Sequence, residues 1–234
     1  MSVLRSALFS LIFYPGTLLY VLAGLAVSVI GVRPMRAVVH GWSHFHHLLT
    51  RRLLGIEDRI EGDIPTTPCL IAIKHQSMYE TVATLRLFAT PVVVMKRELS
   101  HMPLFGWLTQ RYGVIGVDRE AGAAALRNLI VAGKAAAASG RPVVIFPEGT
   151  RVPVGEQPQL KPGFAALYRA TGLSVVPVAV DAGRLWPRGL RKEPGRVTWR
   201  IGDTIPPGLA RAEIERRVHA GINALEQAAT DRPA

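Results

Sequence analysis

The chain has 234 residues, 49% of them hydrophobic and 7% aromatic, which suits one folded domain of ordinary size beside a membrane segment. Its 28 lysine and arginine residues exceed its 17 acidic ones, and the net charge of +11 favours an anionic partner such as a phosphorylated substrate or a membrane surface. We expect no nucleic-acid partner, because neither zinc-finger spacing nor an RNA-binding aromatic motif occurs, and the single cysteine, Cys69, excludes an internal disulfide and a multi-cysteine metal site.

The N-terminal segment is apolar enough to enter a membrane. No charged residue occurs from Ser6 to Val32, and a helix of that length would reach about 40 Å, enough for a hydrocarbon core of about 30 Å. A cleaved secretory signal peptide is the alternative reading. Pro15-Gly16 would suit the bend of a hairpin that dips into one leaflet. We therefore predict an N-terminal membrane helix or helical hairpin.

The segment Met35 to Leu54 has the pattern of an amphipathic helix. Its apolar residues recur at steps of three and four, at Val38, Trp42, Phe45, Leu49 and Leu53. Such a helix could lie at the membrane interface, dock on the rest of the protein, or do both. His44 and His47 would share a face, but no neighbouring residue completes a metal shell. We assign residues 1–58 to a membrane-anchoring segment and 59–234 to a catalytic domain.

Beyond this segment, short β-branched runs alternate with helix-like segments. The predicted strands are Cys69–Ile73, Val92–Met95, Val114–Val117, Pro142–Phe146, Val175–Val180 and Val197–Ile201. The predicted helices are Tyr79–Phe88, Leu104–Arg111, Ala121–Ala138, Gly163–Thr171 and Leu209–Ala228. This alternation predicts an α/β domain whose sheet is mixed, largely parallel and flanked by helices. Pro177 argues for an edge strand or a bulge within the run Val175–Val180.

The segment Lys74 to Thr81 directly follows the first predicted strand and contains a histidine and a carboxylate. A carboxylate beside a histidine fixes its tautomer and stabilises the imidazolium after proton uptake, which makes an effective general base. On one continuous helix, His75 and Glu80 would point about 140° apart. A contact between them therefore needs His75 on the loop and Glu80 in the first helical turn.

Two further segments follow predicted strands and carry residues suited to a phosphate. In Phe146-Pro-Glu-Gly-Thr-Arg151, Gly149 lets the backbone approach a ligand, Thr150 offers a hydroxyl, and Arg151 can grip a phosphate with two hydrogen bonds. Glu148 would hold Arg151 or bond a substrate hydroxyl. The basic pair Lys96-Arg97 precedes an apolar stretch that could line an acyl groove.

In order and spacing, these segments resemble the blocks of the lysophosphatidic acid acyltransferase family, the 1-acylglycerol-3-phosphate O-acyltransferases. The resemblance runs from Ile71 to Val180 and includes His75-Gln-Ser, Lys96-Arg-Glu-Leu99, Val117-Asp-Arg119, the block ending at Arg151, and Val176-Pro-Val178. It implies the glycerolipid acyltransferase fold, with the catalytic domain at the cytoplasmic face of the inner membrane. The family's first block usually reads Asn-His, four residues, Asp, whereas this chain has Lys74-His75, four residues, Glu80.

The resemblance also implies the roles of these residues. His75 would deprotonate the glycerol hydroxyl that attacks an acyl thioester, carried by coenzyme A or acyl carrier protein, and Glu80 would orient His75. Glu148, Gly149, Thr150 and Arg151 would bind the glycerol phosphate, with help from Lys96 and Arg97. The expected acceptor is 1-acylglycerol-3-phosphate (lysophosphatidate) and the product phosphatidate, with no cofactor or metal. Another lysophospholipid or a lyso-aminolipid is the alternative acceptor, and an inactive lipid-binding membrane protein is the alternative of a different class.

Overall fold

A computed structural model describes residues 2–118 and 122–226 as a mixed α/β structure. The helices are α1 (Ser2–Ser28), α2 (Val32–Leu49), α3 (Tyr79–Leu87), α4 (Arg97–Ser100), α5 (Phe105–Tyr112), α6 (Gly122–Ala138), α7 (Pro162–Thr171) and α8 (Arg211–Ile222). The strands are β1 (Ile56–Glu61), β2 (Leu70–Ile73), β3 (Val92–Lys96), β4 (Ile115–Val117), β5 (Val143–Ile145), β6 (Val175–Val180) and β7 (Gly195–Ile201). A π-helical turn at Thr50–Leu54 extends α2.

The seven strands form one sheet in the order β1-β7-β6-β2-β5-β3-β4. Every neighbouring pair is parallel except β6 and β7, so the predicted mixed, largely parallel sheet is confirmed. Side chains of a strand alternate between the two faces. In β2, Ile71 and Ile73 join a core shared with α1, α2, α3 and α5, whereas Leu70 and Ala72 join a core shared with α6, α7 and α8. Both faces are therefore covered by helices.

Strand β1 is absent from the sequence-based prediction. It pairs in parallel with β7 along its whole length, and the proposed boundary between residues 58 and 59 falls inside it. Its sequence, Ile-Glu-Asp-Arg-Ile-Glu, has four charged residues and no apolar run. Asp58 accepts hydrogen bonds from the Tyr79 hydroxyl and the Trp199 indole, both at 2.8 Å. Polar contacts therefore help to hold this strand at the edge of the sheet.

Pro177 lies in the interior of the sheet, so the edge-strand interpretation was wrong, whereas the bulge is present. Strand β6 is flanked by β2 and β7, and Pro177 is paired with Ala72 of β2. On the other side, Val178 pairs with Ile201 but Val175 pairs with Ile205, so the chain following β7 has one extra residue. The extra residue lies where Pro177 has no N–H to donate, which explains how a proline is tolerated there.

Helix α1 runs without interruption through Pro15, so of the two alternatives the continuous helix is observed and the hairpin bend at Pro15-Gly16 is not. The Thr17 hydroxyl donates to the Phe13 carbonyl in this turn, at 2.8 Å, and accepts from the Trp42 indole at 2.9 Å. The chain instead reverses at residues 29–31, and α2 then packs against both α1 and α3. The docking interpretation of the amphipathic segment is thus confirmed.

Helix α1 is long and apolar enough to cross a membrane, with a mean hydropathy of 1.8 over its most apolar window. Its two sides differ. Phe9 and Phe13 are buried against the rings of His46 and Trp186, whereas Leu4, Leu11 and Leu19 remain more than 60% exposed. Phe9 and Phe13 therefore form part of the core, and the leucines on the other side form an exposed apolar surface.

Candidate active site

The candidate active site lies where β2 ends and α3 begins. His75 occupies the connecting loop and Glu80 lies in the first turn of α3, as the five-residue spacing requires for a contact. The His75 Nδ1 and Glu80 Oε1 atoms are 2.9 Å apart. Sequence and structure therefore agree on the central pair of the site.

The Glu80 carboxylate is fully buried and is held by several donors. Oε1 also accepts the backbone N–H groups of Gln76, at 2.7 Å, and Ser77, at 2.6 Å, and Oε2 accepts the Ser77 hydroxyl. The His75 ring packs on Phe146 with a centroid distance of 4.3 Å, and its side chain is 14% exposed. This arrangement fixes Nδ1 towards Glu80 and leaves Nε2 as the ring nitrogen suited to accept a proton.

The turn after β5 places Glu148 behind the histidine. Glu148 is buried, and its Oε1 atom accepts from Lys74 Nζ at 2.7 Å while Oε2 accepts from the His75 backbone N–H at 2.8 Å. Burial raises the pKa of Glu148 above its usual value, and the Lys74 ammonium and the His75 N–H oppose this shift. One carboxylate oxygen of Glu148 thus accepts from Lys74, and the other accepts from the His75 backbone. These contacts favour a positioning role for Glu148, and its predicted part in substrate binding stays a prediction.

Gly149 and Thr150 complete this turn. Gly149 has a φ of 71°, in the left-handed region, and a Cβ there would lie 2.9 Å from Lys161 Cγ. The turn therefore requires glycine for its own geometry. Thr150 is exposed.

Arg151 is exposed and lies beside the histidine loop. The backbone N–H of the next residue, Val152, donates to the His75 carbonyl at 2.7 Å. A groove of about 380 Å³ around Arg151 also contains Gln76, Arg188 and Lys192. Burial, and next the Arg151 guanidinium, lower the pKa of the Lys192 ammonium below its usual value. Arg151, Arg188 and Lys192 thus line one groove together with Gln76, which follows His75 in the chain. Of these three cations, only Arg151 belongs to a sequence motif.

Lys96 and Arg97 lie at the carboxyl end of β3, and His75 follows the carboxyl end of β2. Strand β5 separates β3 from β2 in the sheet. Lys96 and Arg97 pair with Glu98 and Asp118, in each case at 3.0 Å. The contacts of the described residues do not bring them to Arg151, so their predicted help in phosphate binding stays a prediction. Arg119, which belongs to the segment Val117-Asp-Arg119, lies outside the described residues.

An apolar cavity of about 100 Å³ adjoins the opposite side of α3. Its lining comes from α1, α2, α3, β3 and α5, and includes Val21, Trp42, Leu85, Val93, Phe105 and Leu108. Part of the apolar stretch after Lys96-Arg97 thus faces a cavity, as the sequence suggested. Among the described residues, no group of three or more His, Cys, Asp or Glu is placed to hold a metal ion.

Comparison with known proteins gives the family. A family model described as Acyltransferase matches residues 55–181, more than half of the chain. The chain is 36% identical over 231 residues to the 1-acyl-sn-glycerol-3-phosphate acyltransferase of Pseudomonas aeruginosa, covering 94% of this chain and 89% of that protein. It is 31% identical over 193 residues to the lyso-ornithine lipid O-acyltransferase of the same organism, covering 72% of each chain.

A solved structure shows the same fold. The crystal structure of the 1-acyl-sn-glycerophosphate acyltransferase PlsC from Thermotoga maritima superposes with a TM-score of 0.78 and 24% identity, covering the whole of both chains. The family model and the 36% identical relative show that the chain belongs to the acyltransferase family. It is an acyltransferase, as the resemblance of its motifs implied.

Proposed function

We propose that this enzyme is a 1-acylglycerol-3-phosphate O-acyltransferase that makes phosphatidate. It would transfer an acyl group from coenzyme A or acyl carrier protein to the free hydroxyl of 1-acylglycerol-3-phosphate, and it would need no cofactor or metal. The observation that carries this proposal is the 2.9 Å contact between His75 and the buried Glu80, beside a cationic groove. The relative that is 36% identical over most of the chain supports this acceptor.

In the proposed reaction, His75 is the general base. Its Nδ1–H donates to Glu80, so Nε2 takes the proton of the acceptor hydroxyl while the hydroxyl oxygen attacks the thioester carbonyl carbon. The tetrahedral intermediate then collapses, the carbon–sulfur bond breaks, and the leaving thiolate receives the proton from the imidazolium. The charge of Glu80 stabilises that imidazolium. No covalent acyl-enzyme is needed.

The groove around Arg151 is the proposed site of the acceptor phosphate. Arg151, Arg188 and Lys192 all line it, and burial, followed by repulsion from the Arg151 guanidinium, lowers the pKa of the Lys192 ammonium. A phosphate between them would relieve that repulsion and accept charge-assisted hydrogen bonds. Lys96 and Arg97 are proposed to assist from the neighbouring strand end.

The proposed setting is the cytoplasmic face of the inner membrane. Helix α1 would place its exposed leucines in lipid and keep its phenylalanines against the catalytic domain. Basic residues flank the uncharged stretch Ser6–Val32, with Arg5 before it and Arg33 and Arg36 after it. The apolar cavity between α1, α2 and α5 would then receive an acyl chain close to the lipid phase.

The test is acyl transfer to lysophosphatidate by the purified enzyme with the His75→Ala substitution. We expect activity to fall by at least about 100-fold, because general-base catalysis typically contributes 10²- to 10⁴-fold. The matched control is His44→Ala, since His44 is an exposed histidine on α2. Full activity of His75→Ala would refute the proposed mechanism.

A lyso-ornithine lipid is the second candidate acceptor. The 31% identical relative that bears this name supports it. A panel of lysophosphatidate, lyso-ornithine lipid and uncharged lysolipids, tested with one acyl donor, separates the two. A preference for lyso-ornithine lipid would keep the reaction and change the acceptor, and no transfer to any acceptor would favour a lipid-binding protein.

A further inference from the structure

Lys74, the residue that stands where the family usually has asparagine, is fully buried. Its ammonium donates to Glu148 Oε1, to the Glu156 carbonyl and to Asn223 Oδ1, each at 2.7 Å. An ammonium has three protons to donate, so this one is fully satisfied. A buried charge is tolerated only when it is paired and bonded in this way. Lys74 therefore depends on groups that are distant in sequence, one of which is Asn223.

Asn223 directly follows α8 and is also fully buried. Its side-chain amide nitrogen donates to the His219 carbonyl at 2.8 Å, which turns the amide oxygen towards Lys74. Lys74 in turn bonds Glu148, and Glu148 accepts the backbone N–H of His75. A continuous chain of hydrogen bonds thus joins the end of α8 to the candidate base.

Glu226 makes a second connection from the same end of the chain. It is 5% exposed, accepts the Gln76 side-chain amide, and accepts the Gly155 N–H at 2.6 Å. The Gln76 side-chain oxygen accepts the Gly183 N–H at 2.9 Å, so this glutamine is held on both sides. Gln76 immediately follows His75. The C-terminal segment therefore holds the histidine loop at two positions, Lys74 and Gln76, which flank His75.

We propose that Asn223 and Glu226 form a C-terminal latch that positions the catalytic loop through Lys74 and Gln76. Neither residue belongs to the motifs, and both lie beyond residue 181, where the family match ends. Neither contacts the His75 ring, so they are positioning residues. Glu80 sets the orientation of the ring, whereas the latch sets the backbone that carries it. The kinetic part of this proposal rests on the proposed role of His75.

The test compares Asn223→Leu with Asn223→Asp in the full-length enzyme. Leucine removes the acceptor for Lys74 at similar volume, whereas aspartate keeps an acceptor oxygen. We expect Asn223→Leu to lower kcat about tenfold or more with less than a twofold change in the acceptor KM, and Asn223→Asp to recover most of kcat. We also expect faster amide hydrogen exchange in residues 74–80 of Asn223→Leu.

Val218→Ala is the matched control, because Val218 is a fully buried apolar residue of α8. It should lower thermal stability while kcat and the exchange of residues 74–80 stay near wild type. The latch is overturned if Asn223→Leu keeps wild-type kcat, if its exchange in residues 74–80 is unchanged, or if Val218→Ala loses kcat equally. Failure of the proposed function would show separately, as activity retained by His75→Ala.

Discussion

Arg151 and Glu148 come from one motif but occupy different environments. Glu148 is buried and bonded to Lys74 and the His75 backbone, whereas Arg151 is exposed in the groove. The motif alone does not show which of its residues is buried and which is exposed. Two residues of the same turn can differ, one holding the fold together and the other being available to a ligand. Of the two, only Arg151 is free of buried contacts that would oppose a role in substrate binding.

Arg151→Ala should therefore raise the acceptor KM with a smaller effect on kcat. We expect an increase of about tenfold, since a hydrogen bond to a charged group is worth about 1.5–3 kcal/mol and solvent weakens it at an exposed residue. Initial rates over a range of lysophosphatidate concentrations measure this. Arg169→Ala is the control, because Arg169 is an exposed arginine of α7. An unchanged KM would refute the groove around Arg151 as the phosphate site.

The predictable part of the site is the part that local sequence determines. His75 and Glu80 are five residues apart, and their contact follows from a strand-to-helix loop. The supports of that loop were not foreseen, because Asn223 lies 149 positions after Lys74 and meets it only when α8 packs on the sheet. No local pattern marks an asparagine at the end of a helix as a partner of a buried lysine.

At the scale of elements, buried strands were predicted well and the polar strand was not. Strands β2, β5 and β6 are short runs of β-branched and apolar residues that the sheet buries on both faces. Strand β1 is recognisable only after β7 and α3 provide partners for Asp58. Hydrophobic periodicity carries no information about such a strand.

Helix α2 shows the same limit of periodicity, because it buries a histidine. His46 is 1% exposed and lies among the rings of Phe9, Phe13, Tyr79 and Trp186, and its Nε2 atom has no hydrogen-bond partner. Burial, followed by the charges of His47 and Arg86, lowers the pKa of His46 from 6.5 to about 3. The ring is therefore neutral in the folded protein at physiological pH.

This burial makes stability depend on pH. Below pH 6.5 the unfolded chain binds a proton at His46, whereas the folded protein does not until about pH 3, so the free energy of unfolding falls as the pH falls between these values. The loss at pH 5 is about 2 kcal/mol. Unfolding curves in detergent at pH 7.5 and pH 5 should show that His46→Leu lacks this part of the loss. His44→Gln, at an exposed position, should behave as wild type, and an equal pH dependence in His46→Leu would contradict the prediction.

At the scale of the whole molecule, α1 belongs to two environments. Its exposed leucines suit lipid, while Phe9 and Phe13 pack with α2 and with Trp186, which follows β6. Val21 of α1 also lines the apolar cavity beside α3. The helix thus contributes to the core and to the cavity as well as to the apolar surface, and its deletion would remove more than an anchor.

Two alanine substitutions within α1 separate its contribution to the core from its contribution to the apolar surface. Phe13→Ala should destabilise the detergent-solubilised enzyme by about 3–5 kcal/mol, because it empties a buried aromatic site. Leu19→Ala should cost less than about 1 kcal/mol, because Leu19 is 67% exposed on the other side of the helix. Denaturant unfolding followed by tryptophan fluorescence measures both. Equal, small effects would mean that α1 only anchors the protein, whereas the expected difference would make it part of the folded core.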